Sequence, residues 1–132
     1  MQEYIDFQII PRKIITASKL LIRFFYDLPQ YILALPIVFM MRIIRPIKLI
    51  RLGYFISDRI GHLSFDVEYY LTEKNYNPEN KNSIDLFFLL NDSIANDFFI
   101  ELSKRFITIN YFVKYLYNIN NIFPWGDAHR IY

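Results

Sequence analysis

The stretch from Ile47 to Leu63, Ile-Lys-Leu-Ile-Arg-Leu-Gly-Tyr-Phe-Ile-Ser-Asp-Arg-Ile-Gly-His-Leu, decides the fold class of this chain. Residues 47–52 are an apolar run typical of a strand, and Gly53 predicts its end. After a short loop, Arg59-Ile60-Gly61-His62-Leu63 predicts the start of an amphipathic helix. Strand, loop and helix in this order present backbone N–H groups and an imidazole at the mouth of an α/β sheet. Open α/β folds bind ligands at that mouth.

Beyond this stretch, strand and helix patterns alternate. The predicted elements are strand 47–52, helix 61–74, loop 75–82, strand 83–90, helix 94–106, strand 107–111 and a short helix or turn over 112–118. The order β-α-β-α-β implies right-handed crossovers, so we expect an α/β fold with a three-stranded parallel, Rossmann-like sheet over 47–117. The Asn-rich segment 118–132, which includes His129, shows no period and is expected to be an irregular tail.

Side-chain patterns assign faces and caps to the two longer helices of this region. Ser64 is the predicted N-cap of helix 61–74, which places Asp66 and Glu68 in its positive first turn. The apolar stripe of that helix is Leu63, Val67, Tyr70 and Leu71, and that of helix 94–106 is Ile94, Phe98, Leu102 and Phe106. Asp85, inside the second strand, is either a buried, perturbed carboxyl group or the mark of the strand's start, and the second interpretation is favoured.

The first 46 residues have a different pattern, that of a helical, membrane-associating segment. Ile14, Ala17, Leu21, Phe24 and Leu28 form an apolar stripe at helical spacing. Residues 28–41 are uncharged, yet these 14 residues fall short of the number needed to span a bilayer, about 20. Two prolines interrupt the run, and the second would kink any helix through it. We expect a monotopic anchor on an anionic membrane, the alternative being helices packed on the protein's own core.

Composition limits the class of protein. With 132 residues and 54% hydrophobic residues, the chain fits one ordered domain. The absence of cysteine excludes disulfides, thiolate zinc sites and cysteine nucleophiles. Residues 1–60 carry nine Lys and Arg against four Asp and Glu, a balance of +5, whereas residues 61–132 carry six against nine, a balance of −3. Positive charge beside the most apolar segment favours a membrane surface over nucleic acid as partner.

Several blocks resemble one protein family. They are Leu35-Pro36, Arg42-Ile43-Ile44-Arg45-Pro46, Ile50-Arg51-Leu52-Gly53, Arg59-Ile60-Gly61-His62-Leu63, Glu68-Tyr69-Tyr70-Leu71 and, more weakly, Ser93-Ile94-Ala95-Asn96 and Lys104-Arg105. Over about residues 28–110 the chain resembles the N-terminal region of bacterial glycosyltransferases found with surface-polysaccharide biosynthesis genes. The resemblance implies a GT-B arrangement of two Rossmann-like domains, of which this chain corresponds to the acceptor-side half. A donor-binding domain would come from elsewhere, and the chain is expected to be incomplete as an enzyme, with a nucleotide sugar as substrate and no bound cofactor.

The resemblance suggests roles for residues around the turn. His62 is the candidate general base for an acceptor hydroxyl, because the pKa of an imidazole lies near neutrality. Arg59 would contact phosphate, Gly61 would let the backbone approach a ligand, and Asn96 is a further candidate for substrate binding. The structural alternatives are that Gly61 permits a turn, that His62 caps the helix or bonds a carbonyl, that Arg59 is solvated and that Asn96 lies on a polar helix face.

Other types of site are disfavoured by the sequence. It contains neither a P-loop nor a Gly-x-Gly-x-x-Gly fingerprint, and no Asp-x-Asp motif of metal-dependent glycosyltransferases. Two histidines 67 positions apart do not form a metal site, and no basic, aromatic platform for nucleic acid is evident. Two hypotheses remain: part of a membrane-associated glycosyltransferase, or a non-catalytic membrane-associated interaction module or remnant. Both are expected on the cytoplasmic side of the inner membrane, with the cytoplasm as the alternative.

Overall fold

A computed structural model describes the backbone of residues 2–77 and 82–131, with the side chains of residue 16 and of residues 18–77 and 82–131. The elements are α1 (Gln2–Ile44), β1 (Ile50–Phe55), α2 (Ile60–Tyr76), β2 (Ile84–Leu89), α3 (Asp97–Ser103), β3 (Thr108–Ile109), α4 (Val113–Ile122) and a 3-10 helix (Gly126–His129). Within these residues the chain is an α/β protein with four α-helices.

The sheet has three parallel strands in the order β1-β2-β3. Its register sets Ile50 opposite Ile84 and Leu86 opposite Thr108. The prediction of a parallel α/β sheet, with the first strand beside the second, is therefore confirmed.

Helices cover both faces of the sheet, and each face has its own core. On one face, α1 and α4 pack on the strands through buried side chains that include Ala34, Val38, Met41, Leu52, Phe88 and Leu116. On the other face, α2 and α3 do so through Leu63, Val67, Tyr70, Phe87 and Ile100. The predicted apolar stripe of α2 is confirmed, since its first three members are buried and Leu71 packs against them. This layering brings the loops after the strands to one edge of the molecule.

The predicted bounds of β1 are wrong by three residues at each end, since the strand covers Ile50–Phe55 and not 47–52. The backbone N–H groups of Ile47 and Lys48 bond back to the carbonyl of Ile44, so α1 ends in a turn there and the strand begins at Ile50. Gly53 lies inside the strand instead of ending it. A Cβ on Gly53 would come within 2.6 Å of the Phe87 ring, so the glycine is required by close packing rather than by a turn.

The predicted start of α2, residue 61, is within one residue of the observed start at Ile60, but the predicted N-cap is wrong. Ser64 is not the N-cap but lies inside the helix, where its hydroxyl donates to the carbonyl of Ile60 at 2.9 Å. Arg59 is the N-cap residue, in an extended conformation. The first turn accordingly holds no acidic residue, and Asp66 and Glu68 lie one turn further along.

Helix α3 is shorter than predicted and buries a different face. Asn96 caps it, and it ends at Ser103 instead of Phe106. All four residues of the predicted apolar face are exposed, namely Ile94, Phe98, Leu102 and Phe106. Ile100 and Ser103 are buried instead. The prediction followed the apolar residues at helical spacing. The helix has only seven residues, about two turns, and packs a single side of them on the core.

Helix α1 is continuous through Pro11, Pro29 and Pro36, so the prediction that Pro29 and Pro36 interrupt residues 28–41 is wrong. Each proline removes one helical hydrogen bond, and the surrounding turns keep the helix continuous because residues 31–41 pack on α4. Of the predicted apolar stripe, Leu21, Phe24 and Leu28 are exposed and do not pack on the protein's own core. Ile14 and Ala17, the other two residues of that stripe, have side chains outside the described set.

The C-terminal segment, expected to be irregular, instead completes the fold. It includes the end of α4 and the 3-10 helix, and it pairs with the free edge of β1 through a parallel bridge between Leu52 and Arg130. The N–H of Ile131 donates to the carbonyl of Leu52 at 2.8 Å. Ile131 and His129 are buried as a result.

Candidate functional site

The carboxyl ends of the parallel strands meet at one edge, and the loops after β1 and β2 are joined there. Ser57 is fully buried, with its hydroxyl oxygen 3.0 Å from the carbonyl of Asn91 and 2.9 Å from that of Ser93. The N–H of Ala95 donates to the carbonyl of Ser57 at 2.8 Å. These bonds hold the segment before α2 against the segment before α3, at the edge where open α/β sheets generally bind ligands.

Three of the predicted site residues lie together at the start of α2. Arg59 is the N-cap residue, and the exposed Gly61 and His62 follow in the first turn. The cap makes no side-chain hydrogen bond, so within the described part of the chain the first N–H groups of α2 have no capping side chain. Amide groups at such a helix start favour negative charge. This arrangement suits contact with a phosphate or a developing oxyanion.

Gly61 lies in open space. A Cβ at this position would have no atom within 4 Å, in contrast to the crowded Gly53. The local fold therefore does not require glycine there, so the interpretation that Gly61 merely permits a turn loses its support.

Asn96 lies at the same edge but has a structural role. Its side-chain oxygen accepts a hydrogen bond from the N–H of Phe99 at 2.9 Å, which caps α3. The structure thus brings Asn96 to the loop beside Ser57, with its acceptor oxygen already engaged.

A second cluster of charged side chains lies at the opposite, amino end of the strands. The buried carboxylate of Asp85 pairs with Arg51 across the sheet, at 2.8 and 2.9 Å, and with Lys74 of α2 at 2.9 Å. Tyr70 and Ser83 donate to the same carboxylate, each at 2.7 Å. Asp85 is therefore a buried charge with four donors, and the favoured interpretation, that it only marks a strand's start, is incomplete.

The four donors set the ionisation of Asp85. Burial by itself would raise the pKa of this carboxyl group, but the hydrogen bonds from Arg51, Lys74, Tyr70 and Ser83 outweigh burial and hold the pKa well below its usual range. Burial and the bond to Asp85 raise the pKa of Tyr70. A carboxylate that stays charged and fully paired suits a structural role. In the sequence, this pair is visible only as one charged residue, Arg51 or Asp85, inside each of two apolar runs. The strand register shows that the two residues lie opposite each other.

His129, the other histidine, is structural. It is buried beside the first residue of β1, with its Nδ1 atom 2.7 Å from the carbonyl oxygen of Ile50. The imidazole of His62, by contrast, is exposed at the carboxyl edge of the sheet.

Residues Ser18–Ile44 of α1 are long and apolar enough to cross a membrane, with a mean hydropathy of 1.4 and only 17% of the most apolar window buried. Those properties belong to a membrane anchor or a signal sequence, and equally to a helix of a soluble protein. Comparisons with protein-family models, with curated proteins and with solved structures find no match for this chain.

Proposed function

We propose that this chain is the membrane-associated, acceptor-side portion of a glycosyltransferase that uses a sugar nucleotide in bacterial surface-polysaccharide biosynthesis. The observation that carries the enzymatic part is the placement of His62 and Arg59 in and before the first turn of α2, at the carboxyl edge of a parallel sheet. The family resemblance of the Arg59–Leu63 block supports the same assignment.

The strand arrangement supports a Rossmann-like half-domain. In a doubly wound sheet the order is 3-2-1-4, with helices of the first two crossovers on one face. Here β3, β2 and β1 follow that order, and α2 and α3 share a face while α4 lies on the other. Arg130 pairs in parallel with β1 at the fourth position.

The chemistry at the edge follows from the groups present. Transfer of a sugar requires removal of a proton from an acceptor hydroxyl and stabilisation of a departing diphosphate. The exposed imidazole of His62 serves as the base, while the guanidinium of Arg59 and the N–H groups of α2 attract phosphate oxygens. A donor-binding domain, on this or another chain, completes the cleft.

The surface of α1 supports membrane association. Thirteen large hydrophobic side chains between residues 20 and 43 are exposed, namely Leu20, Leu21, Ile22, Phe24, Phe25, Tyr26, Leu28, Ile32, Leu33, Leu35, Phe39, Met40 and Ile43. Exposed cations lie at both ends of this surface: Lys19 just before it and Arg23 near its start, and Arg45 and Lys48 after it. An apolar band between cations matches the interface of an anionic bilayer.

Contacts along α1 favour an in-plane helix over a spanning one. Tyr115 donates to Asp27 at 2.6 Å, and Arg42 donates to the carbonyl of Pro124 at 2.9 Å. These two attachments to the domain are separated by about 22 Å of helix, at about 1.5 Å per residue. Because both attachments lie within the apolar window Ser18–Ile44, that window cannot also cross a hydrocarbon core of about 30 Å. The α1 helix therefore lies along the membrane surface, on its cytoplasmic side.

The enzymatic proposal is tested by sugar transfer from labelled nucleotide sugars to a bacterial membrane fraction. The chain is assayed alone and with the product of the next gene downstream. His62→Ala should lower kcat by about 10²–10⁴-fold, the usual contribution of a general base. Glu68→Ala, on the exposed surface of the same helix, is the matched control and should leave transfer unchanged. Equal activity of the wild type and His62→Ala would contradict the role of His62.

A second candidate function is a non-catalytic, membrane-associated interaction module. The capping role of Asn96 favours it, because the side-chain oxygen of this predicted substrate ligand is already engaged in the fold. This candidate predicts that the protein sediments with anionic vesicles at low salt, while nucleotide sugars are not turned over in either assay.

A further inference from the structure

A groove of about 390 Å³ lies between α2 and the C-terminal segment, on the face of the sheet that α2 and α3 cover. Its volume is within the range of small-molecule sites, about 300–1,000 Å³. Phe55, Phe87 and Tyr70 are buried and line it from the core, and Ile131 lines the opposite side. The groove shares Tyr70 with the Asp85 cluster but contains none of the residues Arg59, Gly61 and His62 at the start of α2.

Two aromatic rings of α2 form one wall of the groove. Phe65 and Tyr69 are one helical turn apart, and their rings are stacked with centroids 6.1 Å apart and planes 17° apart. They nevertheless remain 67% and 54% exposed. A flat, open pair of rings offers an apolar surface that a ligand with a flat C–H face can cover.

The charged residues of the groove are both acidic. Asp66 and Glu73 line it, and no lysine, arginine or histidine is among its described lining residues. Carboxylates accept hydrogen bonds from hydroxyl groups and repel phosphate and carboxylate groups. An apolar wall beside hydroxyl acceptors, with no cation, fits a sugar ring and disfavours a nucleotide.

We propose that this groove binds an uncharged sugar ring, stacked on Phe65 and Tyr69 and held through its hydroxyl groups by Asp66. Asp66 lies one helical turn after His62. A sugar chain in the groove would therefore extend toward the candidate base. That this sugar is the acceptor of the transferase rests on the proposed function, whereas the binding of a sugar in the groove does not.

The test is a titration of the whole chain, in mild detergent, followed by NMR. The probes are the methyl glycosides of glucose, galactose, mannose, fucose and N-acetylglucosamine, with glucuronate as the anionic counterpart. We expect at least one neutral glycoside to bind, and glucuronate to bind about tenfold more weakly or not at all. Phe65→Ala and Tyr69→Ala should each weaken binding by up to about tenfold, the value of an aromatic contact. Phe98→Ala, which removes an exposed ring of α3 outside the groove, is the matched control and should change nothing.

Three results would overturn the proposal: no glycoside binds, glucuronate binds as well as its neutral counterpart, or the two α2 substitutions leave the affinity unchanged. A change of oligomeric state in Phe65→Ala and Tyr69→Ala, without a change in sugar affinity, would mark the groove as a contact between copies and overturn it too. Sugar binding without any transfer activity would support the groove while contradicting the enzymatic proposal. If transfer occurs and neither substitution changes its KM for acceptor, the enzymatic proposal would be supported and the groove would be contradicted.

Discussion

Asp85 shows how a single carboxylate is kept charged inside this small protein. Its side chain is fully buried, and burying an ion costs several kcal/mol unless partners replace its hydration. Here the partners come from three elements: Arg51 from β1, Lys74 and Tyr70 from α2, and Ser83 just before β2. The pairing therefore fixes α2 against the amino ends of β1 and β2.

Asp85→Asn should destabilise the fold by about 3–5 kcal/mol at pH 7, because Arg51 and Lys74 lose their counter-charge. The folded pKa of Asp85 lies below the unfolded one. The stabilisation is therefore complete above about pH 5 and is lost as the pH falls below about 4. The free energies of unfolding of wild type and variant should accordingly converge between pH 5 and pH 2, as measured by urea denaturation.

The matched control for this prediction is Glu101→Gln, which breaks an exposed ion pair with Lys104. Its effect should stay within about 1 kcal/mol. A difference between wild type and Asp85→Asn that does not depend on pH would contradict the assigned ionisation.

At the scale of elements, α1 has two sides with different roles. Ala34, Val38 and Met41 recur at helical spacing and pack on α4 and the sheet, whereas neighbouring apolar residues are exposed. Periodicity predicted a helix here, but so many positions are apolar that the sequence pattern did not identify the packed side. Contacts with α4 decide it.

The adjacent residues Met40 and Met41 lie on the two different sides of α1, so substitutions at them can test the packed side and the exposed side separately. Met41 is 4% exposed and Met40 is 56% exposed. Met41→Ala should lower the free energy of unfolding by about 2–5 kcal/mol, because it leaves a cavity. Met40→Ala should leave stability within about 0.5 kcal/mol but weaken binding to anionic vesicles. Denaturant unfolding in mild detergent and vesicle co-sedimentation measure the two effects, and an equal loss of stability in both variants would refute the assignment of faces.

At the scale of the whole molecule, the layers give the protein two opposite surfaces. The face carrying α1 is apolar and flanked by cations, whereas the α2 face carries the acidic groove. Binding of α1 to an anionic surface would leave the carboxyl edge and the groove accessible from the aqueous side.

Because the chain contains no cysteine, single cysteines report this orientation without background. Lys19→Cys and Lys48→Cys flank the apolar part of α1, and both native side chains are exposed. In inside-out membrane vesicles, a membrane-impermeant maleimide should label both positions, because an in-plane helix keeps its two ends on one side. Labelling of only one position before the membrane is permeabilised would indicate a spanning helix instead.

Local patterns in the sequence were enough to predict an α/β fold with three parallel strands, the buried stripe of α2 and the second strand to within one residue at each end. Those features depend on local periodicity, which needs no knowledge of distant contacts. The candidate turn at Arg59–His62 was located the same way, and its function stays a proposal.

Four features follow only from the packing of the folded chain. They are the pairing of Arg51 with Asp85, the close packing that requires Gly53, the continuity of α1 through its prolines, and the position of the C-terminal segment on the edge of β1. Each depends on contacts between residues that are far apart in the chain. The hydrogen bond from Tyr115 to Asp27, for example, joins residues 88 positions apart. A one-dimensional pattern specifies which side chains are apolar or charged. Which of them become buried, paired or exposed is fixed only when the layers pack together.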